Sequence, residues 1–193
     1  MRMNKQLGFS LLELLIAISI LMLALSAALP SLSDFKHRIE SDLERAHWLQ
    51  LLNYARAIAL NNQQRLILCP MENNVCSSDT AQPWVLFTDP DKSKSLDVDA
   101  GETRLRQYQP SAQTRFGYYS AGVPYFRFGN DSSDIYQGMP EGFTICPFGT
   151  LDQTAWHLTV SITGRITLYN ERDAEGRPLR NKSGQWVLTH CDT

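Results

Sequence analysis

The sequence lacks several common catalytic and zinc-binding motifs and the charge of a generally basic nucleic-acid-binding protein. Its 18 lysines and arginines are outnumbered by 20 acidic residues, and the net charge of -2 gives no positive field over the whole surface. It contains no HExxH, GxSxG or CxxC spacing, which are patterns of zinc peptidases, serine hydrolases and zinc-binding modules. We therefore expect no catalysis, no cofactor and no metal, and any nucleic-acid contact would be local.

Charge is also scarce in the apolar run 9–29, where Glu13 is the one ionisable residue. The run is about long enough to cross a hydrocarbon core of roughly 30 Å as a helix. Arg2 and Lys5 precede it, which favours a cytoplasmic N-terminus and places the rest of the chain across the membrane. A cleaved signal peptide is the alternative, because small residues at 26–28 offer a cleavage site after the run.

The start of the apolar run reads GFSLLELLIA, residues 8–17. This order resembles the class III signal of type IV pilins and of the pseudopilins of type II secretion. In that superfamily a prepilin peptidase cuts after the glycine and methylates the new N-terminal residue, so the apolar run stays in the product. The resemblance implies a leader of residues 1–8, cleavage between Gly8 and Phe9, and N-methylation of Phe9. Pro30 also matches the superfamily, which has a proline at this distance.

Glu13 needs a compensating partner, because a carboxylate in an apolar environment costs several kcal/mol when it is unpaired. In the superfamily this glutamate faces the N-terminal amine of the neighbouring subunit. The resemblance therefore implies that Glu13 acts in assembly. Its place near a helix N-terminus gives a second explanation, since the helix macrodipole favours a negative charge there.

A long helix is predicted from about residue 9 to about residue 60, divided into a transmembrane or assembly half (9–30) and an amphipathic half (31–62). Pro30 is expected to kink it, because proline lacks an amide donor and clashes with the preceding turn. The stop is indicated by Asn61-Asn62. Apolar residues recur at spacings of three and four in the second half, which predicts one packed stripe: Phe35, Ile39, Leu43, Ala46 and Leu49.

Residues 63–193 are predicted to form a β-rich head without a separate second domain. Short segments rich in β-branched and aromatic residues alternate with turn residues, which is typical of antiparallel sheets. Thr163-Gly164 between two apolar runs indicates a hairpin. The fold class is therefore α+β, a long N-terminal helix packed on an antiparallel sheet, as in type IV pilins. The candidate strands are 65–69, 84–88, 103–108, 115–120, 125–128, 142–146, 156–162, 165–169 and 185–190.

Within the superfamily, the head resembles the GspH/FimT group, which includes FimU-like minor pilins. The segments that carry this resemblance are LILCP, WVLFTDPDKSKSLDVDAGETRLRQY, FTICPFG and VSITGRITLY. The resemblance implies a minor subunit that primes or caps pilus assembly by contacts with minor and major pilins, in twitching motility. It implies an inner-membrane protein with a cytoplasmic N-terminus and a periplasmic head, found in the pilus after assembly. A minor pseudopilin of type II secretion is an alternative.

Four cysteines lie beyond the apolar run, and an even number in an exported head indicates disulfides. Three pairings are possible. We favour Cys69–Cys76, which closes a short local loop, and Cys146–Cys191, which joins two strand-like segments.

The segment DPDKSKSLD resembles the first ligands of a calcium loop, with acidic or hydroxyl residues at alternate positions from Asp89. Lys94 stands where such a loop has glycine, and Ala100 stands where it has glutamate. We therefore predict a solvated loop without a metal.

DNA capture is the alternative function, because some FimT-like proteins are associated with DNA uptake in natural transformation through C-terminal arginines. Arg177, Arg180 and Lys182 lie in a corresponding loop region and could contact phosphates. Acidic residues within 171–175 reduce the net positive charge of this region. The Gly-Arg-x-Arg pattern of the FimT-like proteins is also not matched. A solvated hairpin loop is the competing interpretation.

Overall fold

The computed structural model describes residues 10–118, 124–129, 141–161, 164–182 and 184–191. The chain divides into two compact units, Met1–Glu40 and Ser41–Thr193. A helix is followed by antiparallel sheets, so the predicted α+β class is confirmed.

Helix α1 comprises Leu11–Asn62. It begins after Ser10, whose Oγ accepts the Leu12 N–H at 3.2 Å and so caps one free donor of the first turn. It ends where Gln63 adopts a left-handed φ of 53° and the Gln64 N–H bonds the Ala59 carbonyl at 3.2 Å, a Schellman-type C-cap. The predicted stop at Asn62 is confirmed. The helix is continuous across position 30, and the kink at Pro30 stays a prediction.

The N-terminal unit carries the first part of α1, with exposed apolar side chains from Leu11 to Leu23 and an ion pair between Lys36 and Glu40 at 3.6 Å. Among the described residues, no helix has both the length and the apolar character needed to cross a membrane. The predicted span 9–30 begins at Phe9, which lies outside the described residues.

The head contains two antiparallel sheets and a separate hairpin. The first sheet has the order β2-β1-β3-β4, with β6 also paired to β1; the second has the order β5-β7-β8-β9; β10 and β11 form the hairpin. The strands are β1 Leu66–Glu72, β2 Val75–Cys76, β3 Trp84–Thr88, β4 Arg104–Tyr108, β5 Arg115–Tyr118, β6 Phe126–Phe128, β7 Glu141–Cys146, β8 Trp156–Val160, β9 Ile166–Tyr169, β10 Leu179–Lys182 and β11 Gln185–Leu188.

Each of the predicted strand segments coincides with a strand of the structure, although the ends of 115–120 and 156–162 fall outside the described residues. The predicted hairpin is present as β8–β9, in which Val160 pairs with Ile166 and Gly164 adopts a φ of 71°. Strands β2 and β10 were not predicted. The first has two residues, and the second, LRNK, has no run of β-branched or aromatic residues.

The core of the head is built around Trp48 on α1. Its indole is fully buried and meets Trp84 of β3 at a ring-centroid distance of 5.0 Å and Phe116 of β5 at 5.5 Å. The helix therefore packs on residues from both sheets, in the edge-to-face arrangement that aromatic rings favour. Other residues of this cluster include Leu52, Ala55, Leu68, Leu86, Phe126, Phe143, Ile145, Trp156 and Leu158.

The packed face of the helix is not the predicted one. Leu43 is 64% exposed and Ala46 is also exposed, whereas Trp48 and Leu52 are fully buried. Residues 43 and 48 differ by about 140° around a helix with 3.6 residues per turn, so the two stripes face different directions. The prediction was wrong because the second half of α1 has more than one apolar stripe and the largest side chain lies on the other.

Both predicted disulfides are present, Cys69–Cys76 and Cys146–Cys191, with Cα–Cα distances of 5.7 and 6.4 Å. The second bond joins the C-terminal segment to β7, and the same segment passes so close to β5 that a Cβ at Gly117 would overlap the carbonyl oxygen of His190. Glycine is therefore required at 117 by close backbone approach.

His157 is a buried polar residue of β8, only 1% exposed, and its Nδ1 shares a 2.9 Å hydrogen bond with the Thr144 hydroxyl. Its pKa falls from 6.5 to about 4, because burial disfavours the charged ring and the charges of Arg180 and His190 oppose it. The ring is neutral at neutral pH and belongs to the core.

The two disulfides should differ in their contribution to stability. In the chain-entropy model, closing a separation of 45 residues is worth about 4 kcal/mol and closing 7 residues about 2.4 kcal/mol. We expect the paired change Cys146→Ala and Cys191→Ala to lower the free energy of unfolding more than Cys69→Ala with Cys76→Ala, measured by denaturant unfolding. Each pair contains a fully buried cysteine, so lost packing is similar. An equal or larger loss for the short loop would contradict this.

His157 should make the protein less stable in acid. Its folded pKa lies below its unfolded value of 6.5, so between pH 6.5 and about 4 the unfolded chain binds a proton that the folded chain excludes. Stability is therefore lost as pH falls through this window. From about pH 7 to about pH 5, wild type should lose roughly 2 kcal/mol more unfolding free energy than His157→Gln.

The matched control is His37→Gln, which changes an exposed histidine of α1 and shows whether replacing a histidine outside the core alters the slope. Burial raises the pKa of Glu44, so this carboxyl makes the protein more stable as pH falls. Wild type and His157→Gln share this contribution, so the difference between them reports on His157. Identical slopes for wild type and His157→Gln would show that the ring takes up a proton in the folded state.

Candidate assembly site and charged loops

Glu13, the predicted assembly residue, lies in the first turn of α1. Its backbone N–H donates to the Ser10 carbonyl at 3.1 Å, and its side chain is exposed. The carboxylate is therefore next to the positive end of the helix dipole, as the alternative explanation requires. Gly8 and Phe9, the predicted cleavage and methylation residues, lie outside the described residues.

The side chains around Glu13 are apolar and exposed in the single chain. Leu12 is 67% exposed and Leu14 is 56% exposed, and this character continues to Leu23. A continuous apolar surface of this kind marks a site for lipid or for other apolar helices. When it is covered, the Glu13 carboxylate loses water and requires a nearby cation.

Arg177, the first predicted DNA contact, is held within its own loop. Its Nε donates to Asp173 Oδ2 at 2.6 Å, and a guanidinium NH2 group donates to Glu175 Oε2 at 3.0 Å. The hydrogen bond to Asp173 raises the pKa of Arg177 above its ordinary value. The adjacent Arg172 donates to the carbonyls of Gly176 at 2.6 Å and Ala155 at 3.1 Å. These arginines therefore shape the loop.

Arg180 and Lys182 follow on β10, where they pair with Val187 and Gln185 of β11. Arg180 is partly buried, and its charge lowers the pKa of His157. The structure thus separates the three predicted DNA contacts, with one in the loop and two on the strand after it. The acidic residues that bind Arg177 were visible in the sequence, but their pairing geometry was not.

The loop between β3 and β4 differs from its prediction. It brings together carboxylate oxygens of Asp89, Asp91 and Glu102, all within 4.8 Å of one another. Asp89 and Glu102 are buried at 0% and 3% exposure, whereas Asp91 is exposed. The sequence pattern identified Asp89 and Asp91 but missed Glu102, which lies at the other end of the loop. These three residues are the acidic cluster.

Comparisons with known proteins agree with the fold and with the N-terminal motif. The model of the family described as type II transport protein GspH matches residues 46–164, more than half of the chain. The model of the prokaryotic N-terminal methylation motif matches residues 3–29. Searches of curated proteins and of solved structures gave no match.

The two family matches follow one another along the chain without overlapping. The methylation motif covers the apolar run, and the GspH match covers the end of α1 and most strands of the head. The chain therefore belongs to the GspH family and is a member of the type IV pilin and pseudopilin superfamily.

Proposed function

We propose that this protein is a minor pilin that helps to prime or cap a type IV pilus through contacts with other minor and major pilins. The proposal rests on the order of three features along the chain. They are an N-terminal methylation motif, an apolar helix with one carboxylate, and a GspH-family head. These parts serve assembly, and the proposed role is structural and non-catalytic.

The proposal includes a maturation path. A prepilin peptidase removes residues 1–8, cutting between Gly8 and Phe9, and methylates Phe9. Residues 9–30 then anchor the subunit in the inner membrane with the N-terminus in the cytoplasm, residues 31–62 continue the helix, and the head 63–193 lies in the periplasm. On assembly the subunit leaves the membrane for the pilus.

In this step Glu13 sets the position of one subunit's helix along the helix of its neighbour. When apolar helices pack together, its carboxylate is desolvated and is stabilised by the N-terminal amine of a neighbouring subunit. Cleavage is needed to create that amine at Phe9, so processing and pairing are linked. A neighbour offset along the helix would leave the carboxylate without its cation.

The second half of α1 offers a further contact surface for neighbouring subunits. Leu43 is 64% exposed, and Leu60 is 56% exposed, although Trp48 and Leu52 on the same helix are fully buried. Large apolar side chains that the head leaves uncovered are suited to helix-to-helix packing between subunits.

A minor pseudopilin of type II secretion is the second candidate, and the description of the matched family favours it. The same anchor, cleavage and Glu13 pairing would then build a short secretion fibre in place of a pilus used in twitching motility. Co-purification with pilins or with pseudopilins would separate the two functions.

DNA binding, the third candidate, has less support. Phosphate binding by Arg177 would replace its two carboxylate partners, Asp173 and Glu175, and hydrogen bonds to charged groups are among the stronger ones. A role in DNA uptake would therefore require the loop to rearrange.

Glu13→Ala should separate processing from assembly. We expect the variant to be cleaved and methylated at Phe9, as read by mass spectrometry of the mature N-terminus. Its amount in sheared pili should fall by more than about tenfold, because leaving one charge of a buried pair alone costs about 3–5 kcal/mol.

The control for Glu13 is Glu40→Ala, which removes an acidic residue of the same helix that pairs with Lys36 at 3.6 Å. This variant should assemble normally. Normal assembly of Glu13→Ala would contradict the register role, and a mature N-terminus beginning after Ala28 would contradict the cleavage site.

Arg177→Ala should leave duplex DNA binding unchanged, because its guanidinium is already paired. The full chain in detergent would be titrated with duplex DNA at several salt concentrations. In contrast, Asp173→Asn combined with Glu175→Gln should strengthen DNA binding at low salt, because it releases Arg177. Each new phosphate contact makes the slope of log binding constant against log salt concentration steeper by about 0.9.

Arg104→Ala provides the comparison for Arg177, since it removes an exposed arginine from β4. If wild type binds DNA with a strong salt dependence that Arg177→Ala abolishes and Arg104→Ala retains, DNA capture becomes the favoured function.

A further inference from the structure

The acidic cluster combines burial with close approach of like charges. Asp89 is fully buried, Glu102 is 3% exposed, and one carboxylate oxygen from each of Asp89, Asp91 and Glu102 lies within 4.8 Å of the other two. Carboxylates this close repel one another, and burial weakens the screening by water. The cluster therefore needs positive charge beyond what the solvent supplies.

Asp89 is compensated by protein groups. Its Oδ2 accepts the Arg65 Nε–H at 3.2 Å, and its Oδ1 accepts the Lys94 backbone N–H at 3.2 Å. The Lys94 side chain lies elsewhere, with Nζ 4.3 Å from the ring centroid of Tyr125. Arg65 thus forms an ion pair with Asp89 at 3.2 Å.

Glu102 is compensated on one side only. Its Oε2 accepts the Asp97 backbone N–H at 2.8 Å. Its Oε1 is buried and has no hydrogen-bond partner among the described residues. A buried charged oxygen without a partner costs several kcal/mol unless a cation or a proton reaches it. This oxygen is therefore available to a ligand, and a cation would satisfy it and offset the negative charge of the neighbouring carboxylates.

The loop has the local geometry that calcium loops use. Asp89 and Asp91 occupy the first and third positions of such a loop. Lys94, at the sixth position, adopts a φ of 58°, the left-handed conformation for which calcium loops use glycine. The acidic residue expected at the twelfth position is supplied by Glu102, two residues later.

We propose that Asp89, Asp91 and Glu102 bind a calcium ion. Oxygen ligands at about 2.3–2.6 Å from one ion are at most about 5 Å apart, which agrees with the 4.8 Å limit of the cluster. All three ligands are carboxylates, which a hard cation prefers to the nitrogen and sulfur ligands typical of zinc. Calcium fits better than magnesium because it tolerates irregular coordination, and the exposed Asp91 leaves room for water ligands.

The bound ion would fix the loop against the first sheet. The Lys94 carbonyl accepts the Cys76 N–H at 3.0 Å, and the Leu96 N–H donates to the Asn74 carbonyl at 2.7 Å. The loop is thus an extension of the β1–β2 edge, and removing repulsion within the cluster stabilises this edge. This inference is independent of the proposed role in assembly.

The full chain in detergent, treated with a chelator and dialysed, provides the test. Calorimetric titration with calcium chloride should show one ion per chain, with a Kd of about 0.1–1 mM, the range of extracellular calcium modules. At about 10 mM calcium the Tm should rise by about 3–6 °C, and magnesium at the same concentration should raise it less.

Two variants locate the site. Asp91→Asn changes an exposed ligand and should fold normally, while Glu102→Gln keeps the shape of the buried side chain. Each should weaken calcium binding at least about tenfold and abolish most of the Tm rise. Asp99→Asn, an exposed acidic residue of the same loop, is the matched control and should respond as wild type.

The proposal is overturned if calcium up to about 10 mM gives wild type neither binding heat nor a Tm rise. It is also overturned if Asp91→Asn and Glu102→Gln respond as wild type, or if Asp99→Asn loses as much binding as they do, because the response would then reflect general charge.

Discussion

The head depends on the burial of one indole. Trp48 extends from α1 between the sheets and contacts Trp84, Phe116 and Phe126, which come from strands of both sheets. Because interiors are close-packed, this large rigid ring fixes the positions of the helix and the sheets together. The buried ring therefore also fixes the rotation of α1 about its axis. This rotation determines which helix side chains remain available to other molecules.

Secondary structure could be predicted where one local pattern decides it. Short segments rich in β-branched and aromatic residues between turn residues located the strands, and Asn61-Asn62 located the helix end, because strand preference and capping depend on neighbouring residues. The packed helix face could not be chosen, since Leu43 and Trp48 lie on different apolar stripes and only the sheets determine which is buried. Strand β10 depends on pairing with β11, which its own sequence does not reveal.

The candidate sites also divide into one that the sequence identifies and one that only the folded structure reveals. Glu13 was identified from sequence because a charge within an apolar run is a local anomaly, and its first-turn position follows from the same motif. The acidic cluster was missed because Glu102 reaches Asp89 only through the folded loop, and because the left-handed φ of Lys94 cannot be read from a lysine. Tertiary proximity and unusual backbone angles are properties of the fold.

The Cys69–Cys76 bond has a consequence for the acidic loop. It closes the β1–β2 hairpin, and that hairpin provides Cys76 N–H and the Asn74 carbonyl as hydrogen-bond partners for the acidic loop. The disulfide in the β1–β2 hairpin therefore supports the geometry of the acidic loop between β3 and β4. Without this bond the three carboxylates would be presented by a looser backbone, so the disulfide contributes to the organisation of this edge.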